Sequence, residues 1–164
     1  MLPMKELASL LQKIGAERVQ TYIQSGNAVF EYEGGESSEL SAAISRGIKE
    51  RFGFEPAVQL LGMQDLQAAI SGTPFPEAES DPKTLHLGFL AATPKNPDLK
   101  ALEALKKDSE GFRLTDRVFY LKAPEGVGRS KLAANSERLL GVPMTDRNWR
   151  TVCALMDMAR RRDS

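Results

Sequence analysis

One order of elements can be read twice along this chain, and no other feature of the sequence restricts the fold as much. In the first half, Pro3 suits the first turn of a helix. Leu7, Leu10, Leu11 and Ile14 supply that helix's apolar face, and Gly15 closes it. VQTYIQS (19–25) is β-branched and aromatic enough for a strand, Gly26-Asn27 suits a tight turn, and AVFEY (28–32) returns as the partner strand. After the loop EGGESS, Leu40, Ile44, Ile48 and Phe52 recur every four residues, predicting a helix from about Ser38 to Phe52 that Gly53 ends. AVQLL (57–61) predicts a short strand and Met63–Ile70 a helix.

The second half follows the same order with one element more. LHLGFLA (85–91) reads as a strand, Pro94–Pro97 as a turn, and Leu99–Lys107 as a helix. FRLTDRVFYLK (112–122) reads as a hairpin bent at Thr115-Asp116. PEGVGRS is loop, LAANSERLLG a helix ending at Gly141, TDRNW (145–149) a short strand, and TVCALMDMARR a closing helix. A strand–helix–strand unit followed by the same again is the split βαβ, ferredoxin-like pattern. The expected fold is therefore α+β: duplicated ferredoxin-like repeats with two antiparallel sheets packed with helices. The first repeat is expected at 1–72, a linker rich in Pro and acids at 73–83, and the second repeat with its C-terminal helix at 84–164. The first repeat lacks its opening strand, which this pattern places at the centre of the sheet. Buried strands rarely tolerate unpaired backbone. The expectation is that residues upstream of Met1 exist in the complete protein, or that a second copy enters the open sheet to form a homo-oligomer.

The strings LPMKELASLLQKIG, VQTYIQSGNAVF, GVGRSKL, LLGVPMTDRNWRTV and PFPEAESDPKTLHLGFL resemble the bacterial domain-of-unknown-function family 1697. The likeness runs essentially end to end. Members of that family begin with an apolar strand and an Arg-Gly-Ile-Asn-Val-Gly-Gly-like turn that this sequence lacks, which agrees with the missing strand. The resemblance implies a duplicated ferredoxin-like fold and no established activity.

No apolar run approaches the roughly 18 residues that span a bilayer, so no membrane partner is expected. No basic segment followed by an apolar one marks a secretory signal, and the single cysteine excludes an intramolecular disulfide. The expected compartment is cytoplasmic, and Cys153, in an apolar helical pattern, is expected in the core. Net charge is zero but uneven: residues 1–112 hold 11 Lys and Arg against 16 Asp and Glu, and residues 113–164 hold 11 against 6. That asymmetry points to an anionic partner for the C-terminal part, although a pI of 6.6 argues against a dedicated DNA binder.

GVGRSKL (126–132) gives that partner a place. Acids are favoured at a helix N-terminus and cations disfavoured, by about 0.3–1 kcal/mol each. The first-half equivalent, EGGESSEL, obeys this rule, whereas Arg129 and Lys131 break it. Gly126 and Gly128, the hydroxyl of Ser130 and these two cations are the ingredients of an anion pocket. In the split βαβ topology, the start of the fourth strand is expected beside the start of the second helix. That would bring Arg147, Asn148 and Trp149 to the pocket as an anion fork, an amide and a stacking ring. Three readings stay open on the sequence. One is binding of a small anion or nucleic-acid phosphate; another is an enzyme acting on a phosphorylated or carboxylated metabolite, with unknown catalytic residues. The third is a scaffold, with Arg147 paired to Asp146 or Glu137, Trp149 in the core and Lys131 solvated.

No other motif supplies chemistry or calls for a cofactor. GVGRSKL lacks the spacing of a nucleotidase phosphate loop, and Lys131 stands where a dinucleotide fingerprint needs glycine. His86 has no acid or cysteine at ligand spacing, so no metal site is expected and the histidine reads as a satisfied strand residue. Ser25, Gly26 and Asn27 fit a hairpin turn, and Tyr22, Tyr32 and Tyr120 form no paired platform for RNA bases.

Overall fold

The computed structural model describes residues 3–22, 26–54 and 58–161. Among these, the chain forms six α-helices and two antiparallel sheets, the α+β architecture expected. No described helix is long and apolar enough to cross a membrane. The chain divides into two compact units: residues up to Met63 together with the chain from Leu155 onward, and Gln64–Ala154.

In the first unit, the leucines at helical spacing put Leu7, Leu10 and Leu11 on the buried face of α1 (Met4–Ile14). Gly15 then leaves the helix at φ 114°, a conformation that favours glycine. β1 (Glu17–Tyr22) and β2 (Asn27–Glu31) pair antiparallel, with a register shift between Glu17 and Gln20. Residues 23–25, and with them Ser25, lie outside the described residues. α2 (Ser37–Phe52) sends Leu40, Ile44 and Ile48 into a core shared with Leu7, Leu10, Leu11 and Ala16. Gly47 lets the two helices close together: a Cβ there would meet Leu10 at 2.5 Å. The expected strand at 57–61 is not formed. Residue 57 is outside the described set, and 58–61 join no ladder, although Val58 and Leu60 still pack on the core. A strand needs a neighbour that offers hydrogen bonds, and among the described residues the only sheet in this unit is the β1–β2 pair.

The second unit contains α3 (Met63–Ser71, from Gln64), β3 (Leu85–Leu90), α4 (Leu99–Leu105), β4 (Gly111–Leu114), β5 (Val118–Lys122), α5 (Lys131–Leu140), β6 (Met144–Asn148) and the start of α6 (Trp149–Arg160). Its strands lie in the order β4-β5-β3-β6 with every pair antiparallel. Each strand–helix–strand crossover therefore skips a place in the sheet, as a split βαβ unit requires. β3 is buried along its whole length because both its neighbours and both its faces are covered.

The two faces have different covers. Leu90, Phe119 and Leu121 pack with Leu102 of α4 and Leu132 and Leu140 of α5. On the other face, Leu85, Leu87, Phe89 and Tyr120 are buried, and the Tyr120 hydroxyl donates to the Ala69 carbonyl of α3 at 2.6 Å. Residues 73–83, expected as a linker, continue that cover with a short 3-10 helix at Pro76–Ser80. Phe75 lies against the backbone of Gly111, and Glu77 pairs with Lys122 at 3.2 Å. The compact division falls after Met63, so α3 and this segment belong to the second unit.

Burial raises the Tyr120 phenol above its ordinary 10.0, with nearby Arg113 pulling the other way. Tyr120→Phe leaves the Ala69 carbonyl without its donor, and a loss of about 1–2 kcal/mol is expected in urea unfolding. A phenol whose pKa is raised in the folded state stabilises fully below its unfolded value, and that contribution is lost as pH rises through the folded one. The parent should therefore lose stability as pH climbs past 10.0, and Tyr120→Phe should lose less.

Candidate anion-binding site

Strand register decides what meets at the end of the second sheet. Lys122, the last residue of β5, pairs with Leu85, and Asn148, the last of β6, pairs with His86. Met144, which opens β6, pairs with Leu90 at the opposite end. It is thus the end of the fourth strand, not its start, that lies where the second helix begins. The 10 residues of α5 run about 15 Å, carrying the chain from the end of β5 to the start of β6. α6 starts directly after Asn148. Two helix N-termini therefore share one end of the sheet.

The approach to α5 follows from its glycines and serine. Gly126 sits at φ 96°, where other residues are strained, and a short 3-10 turn over Val127–Arg129 follows. Nothing lies within 4 Å of where a Cβ would stand on Gly126 or Gly128. Ser130 is only 3% exposed and is the N-cap: its Oγ accepts from the Ala133 N–H at 3.0 Å. Among the described residues, the N–H groups of Lys131 and Leu132 have no protein acceptor, as expected of a first helical turn. Arg129 and Lys131 are exposed, and neither has a carboxylate partner among the described residues.

α6 repeats the pattern. Asn148 Oδ1 accepts from the Thr151 N–H at 2.9 Å as a cap, and Arg150 in the first turn is exposed with no carboxylate partner among the described residues. Neither α5 nor α6 has an acid in its first turn, whereas α1, α2 and α3 carry Glu6, Glu39 and Asp65 there. Sequence reasoning missed Arg150, although the helix-dipole argument that singled out Arg129 applies to it equally.

Arg147 does not join this group. Its partner in register is Leu87, which also pairs with Tyr120, so the pleat sets Arg147 on the face opposite α5. There its Nη1 donates to the Asp146 carbonyl at 2.8 Å. Burial pulls the guanidinium below its usual range while the Asp146 carboxylate opposes the shift. The expected convergence of Arg147 with Arg129 and Lys131 fails because one step along a strand exchanges the faces. Trp149, 7% exposed, is a core residue at the start of α6 rather than a stacking surface.

His86 does have an acidic neighbour. Its Nδ1 lies 3.0 Å from Asp146 Oδ2 across the β3–β6 ladder, on the α5 face. The partners are 60 residues apart, so only register could reveal the pair. Among the described residues, no group of three or more His, Cys, Asp or Glu could hold a metal ion.

A family model described as a protein of unknown function (DUF1697) matches residues 1–120. No curated protein matches the chain. Among solved structures, a conserved bacterial protein from Streptococcus pneumoniae superposes with a TM-score of 0.68 at 22% identity, over 98% of this chain and 90% of that one. At that identity the likeness shows the fold alone.

The capping roles can be separated from any ligand role by stability. Ser130→Ala and Asn148→Ala should each cost about 0.5–2 kcal/mol in thermal or urea unfolding. Arg129→Ala, Lys131→Ala and Arg150→Ala should stay within about 0.5 kcal/mol of the parent, since they break no packing or hydrogen bond.

Proposed function

The chain belongs to the DUF1697 family, described as proteins of unknown function, and we propose that it binds a phosphate- or carboxylate-bearing ligand where α5 and α6 begin. The observation behind this reading is three exposed cations, Arg129, Lys131 and Arg150, at two helix starts on one end of a sheet. None has a carboxylate partner among the described residues. Each cation raises the energy of the helix start it occupies unless an anion is present, because the dipole there is already positive. An anion between them would gain charge-assisted hydrogen bonds from the side chains and from the N–H groups of Lys131 and Leu132. Gly126 and Gly128 leave the approach open, and Ser130 and Asn148 hold the two helix ends rigid.

We also read the two units as copies of one split βαβ pattern. α1, β1, β2 and α2 follow in the order of α4, β4, β5 and α5, and β3 has no counterpart among the described residues of the first unit. On this reading a second copy pairs along β2, giving a homo-oligomer. Sedimentation over a range of concentrations tests it. A concentration-dependent dimer is expected, and a monomer throughout overturns it.

For the ligand, the test is titration of the full chain with inorganic phosphate, citrate and a short single-stranded RNA, read by amide NMR shifts. Saturating shifts at residues 128–133 and 149–151 are expected. The Arg129→Ala/Lys131→Ala variant should weaken binding by about 1.5–3 kcal/mol for each charge-assisted hydrogen bond lost. Unchanged binding in that variant, or no saturable shift with any probe, would leave the scaffold reading standing.

A further inference from the structure

A second polar concavity lies in the first unit, along a flank of α2. The helix has three occupied sides. Leu40, Ile44 and Ile48 face the core, Gly47 abuts Leu10 of α1, and on the remaining flank Ser41 Oγ donates to the Val58 carbonyl at 3.1 Å. Between α2 and residue 58 this leaves a groove of about 630 Å³ lined by Ser38, Ser41, Ser45, Arg46, Lys49 and Val58. Its volume falls in the range of small-molecule sites, roughly 300–1,000 Å³.

The chemistry of the lining is one-sided. The serines recur along the flank at helical spacing and bring three hydroxyls, of which Ser41 keeps its lone pairs for a ligand because its proton goes to the Val58 carbonyl. Arg46 and Lys49 supply two positive charges toward the C-terminal end of the helix, and no acidic residue is among the described lining residues. Arg46 is exposed and has no carboxylate partner among the described residues. A guanidinium and an ammonium one helical turn apart can share one phosphate or carboxylate, and the hydroxyl row suits a polar body extending from it.

We infer that this groove binds an elongated, hydroxyl-bearing anion, with its phosphate or carboxylate at Arg46 and Lys49 and its hydroxyls along Ser38, Ser41 and Ser45. The site is independent of the one at the starts of α5 and α6, and its residues lie within the other unit.

The experiment titrates the full chain with glycerol 3-phosphate, citrate and inorganic phosphate against sodium chloride of matched ionic strength, following backbone amides. The expected result is saturating shifts at Ser38, Ser41, Ser45, Arg46 and Lys49 with glycerol 3-phosphate or citrate, and the two arms tell phosphate from carboxylate. Arg46→Ala/Lys49→Ala should weaken that binding at least about tenfold, whereas Arg129→Ala/Lys131→Ala should leave it unchanged. Ser38→Ala/Ser45→Ala should weaken glycerol 3-phosphate more than inorganic phosphate. If the double cation variant fails to fold, Arg46→Gln alone carries the comparison. Shifts that only follow ionic strength, or that survive loss of Arg46, overturn the inference. Loss of shifts at residues 128–133 alone bears on the other site and not on this one.

Discussion

The two ladders of β3 are the constraint on which the rest of the second unit depends. β3 pairs antiparallel with β5 on one side and β6 on the other, and all six of its residues are buried. Every backbone group of such a strand needs a partner, because an unpaired one far from water costs as much as a lost hydrogen bond. Once both ladders are in register, the ends of β5 and β6 must lie beside the start of β3. The helices that follow them must then begin at that end. The Arg117 guanidinium reinforces the opposite end by donating to the carbonyls of Leu90 and Ala91.

That geometry separates two kinds of polar residue that look alike in sequence. Ser130 and Asn148 are spent on capping: their oxygens take N–H groups that the helix cannot satisfy itself. Arg129, Lys131 and Arg150 have no carboxylate partner among the described residues and stand where the dipole opposes them. The mismatch costs little per residue, so it does not threaten the fold, and its repetition at neighbouring helix starts is what the proposed anion site rests on. Arg147, two residues before the α6 helix, serves the other face instead and is held by its own strand.

The first unit shows the same sequence logic with fewer ladders. α1 and α2 bury six leucines and isoleucines at helical spacing, and Gly47 lets the helices approach closely. Among the described residues only β1 and β2 offer a ladder, and the apolar segment at 58–61 covers the core through Val58 and Leu60 but forms no strand. Burial of side chains and pairing in a strand ladder are separate requirements, and among the described residues here the first is met without the second. The flank of α2 beside Val58 consequently stays a polar groove.

Much of this is legible in the sequence. The four-residue spacing of Leu40, Ile44 and Ile48, the glycines after α1, α2 and α5, and the hairpin at Thr115 each act through a few neighbouring residues, so the local sequence determined them. The misplaced charges at Arg129 and Lys131 were visible for the same reason, since a helix dipole acts within one turn. Tertiary structure alone decided which charges could meet. Whether Arg147 faces α5, whether His86 reaches Asp146, and whether Tyr120 reaches Ala69 all turn on strand register and the alternation of the pleat. A shift of one residue reverses every such answer without changing the local pattern, and only the long-range ladders through β3 set it.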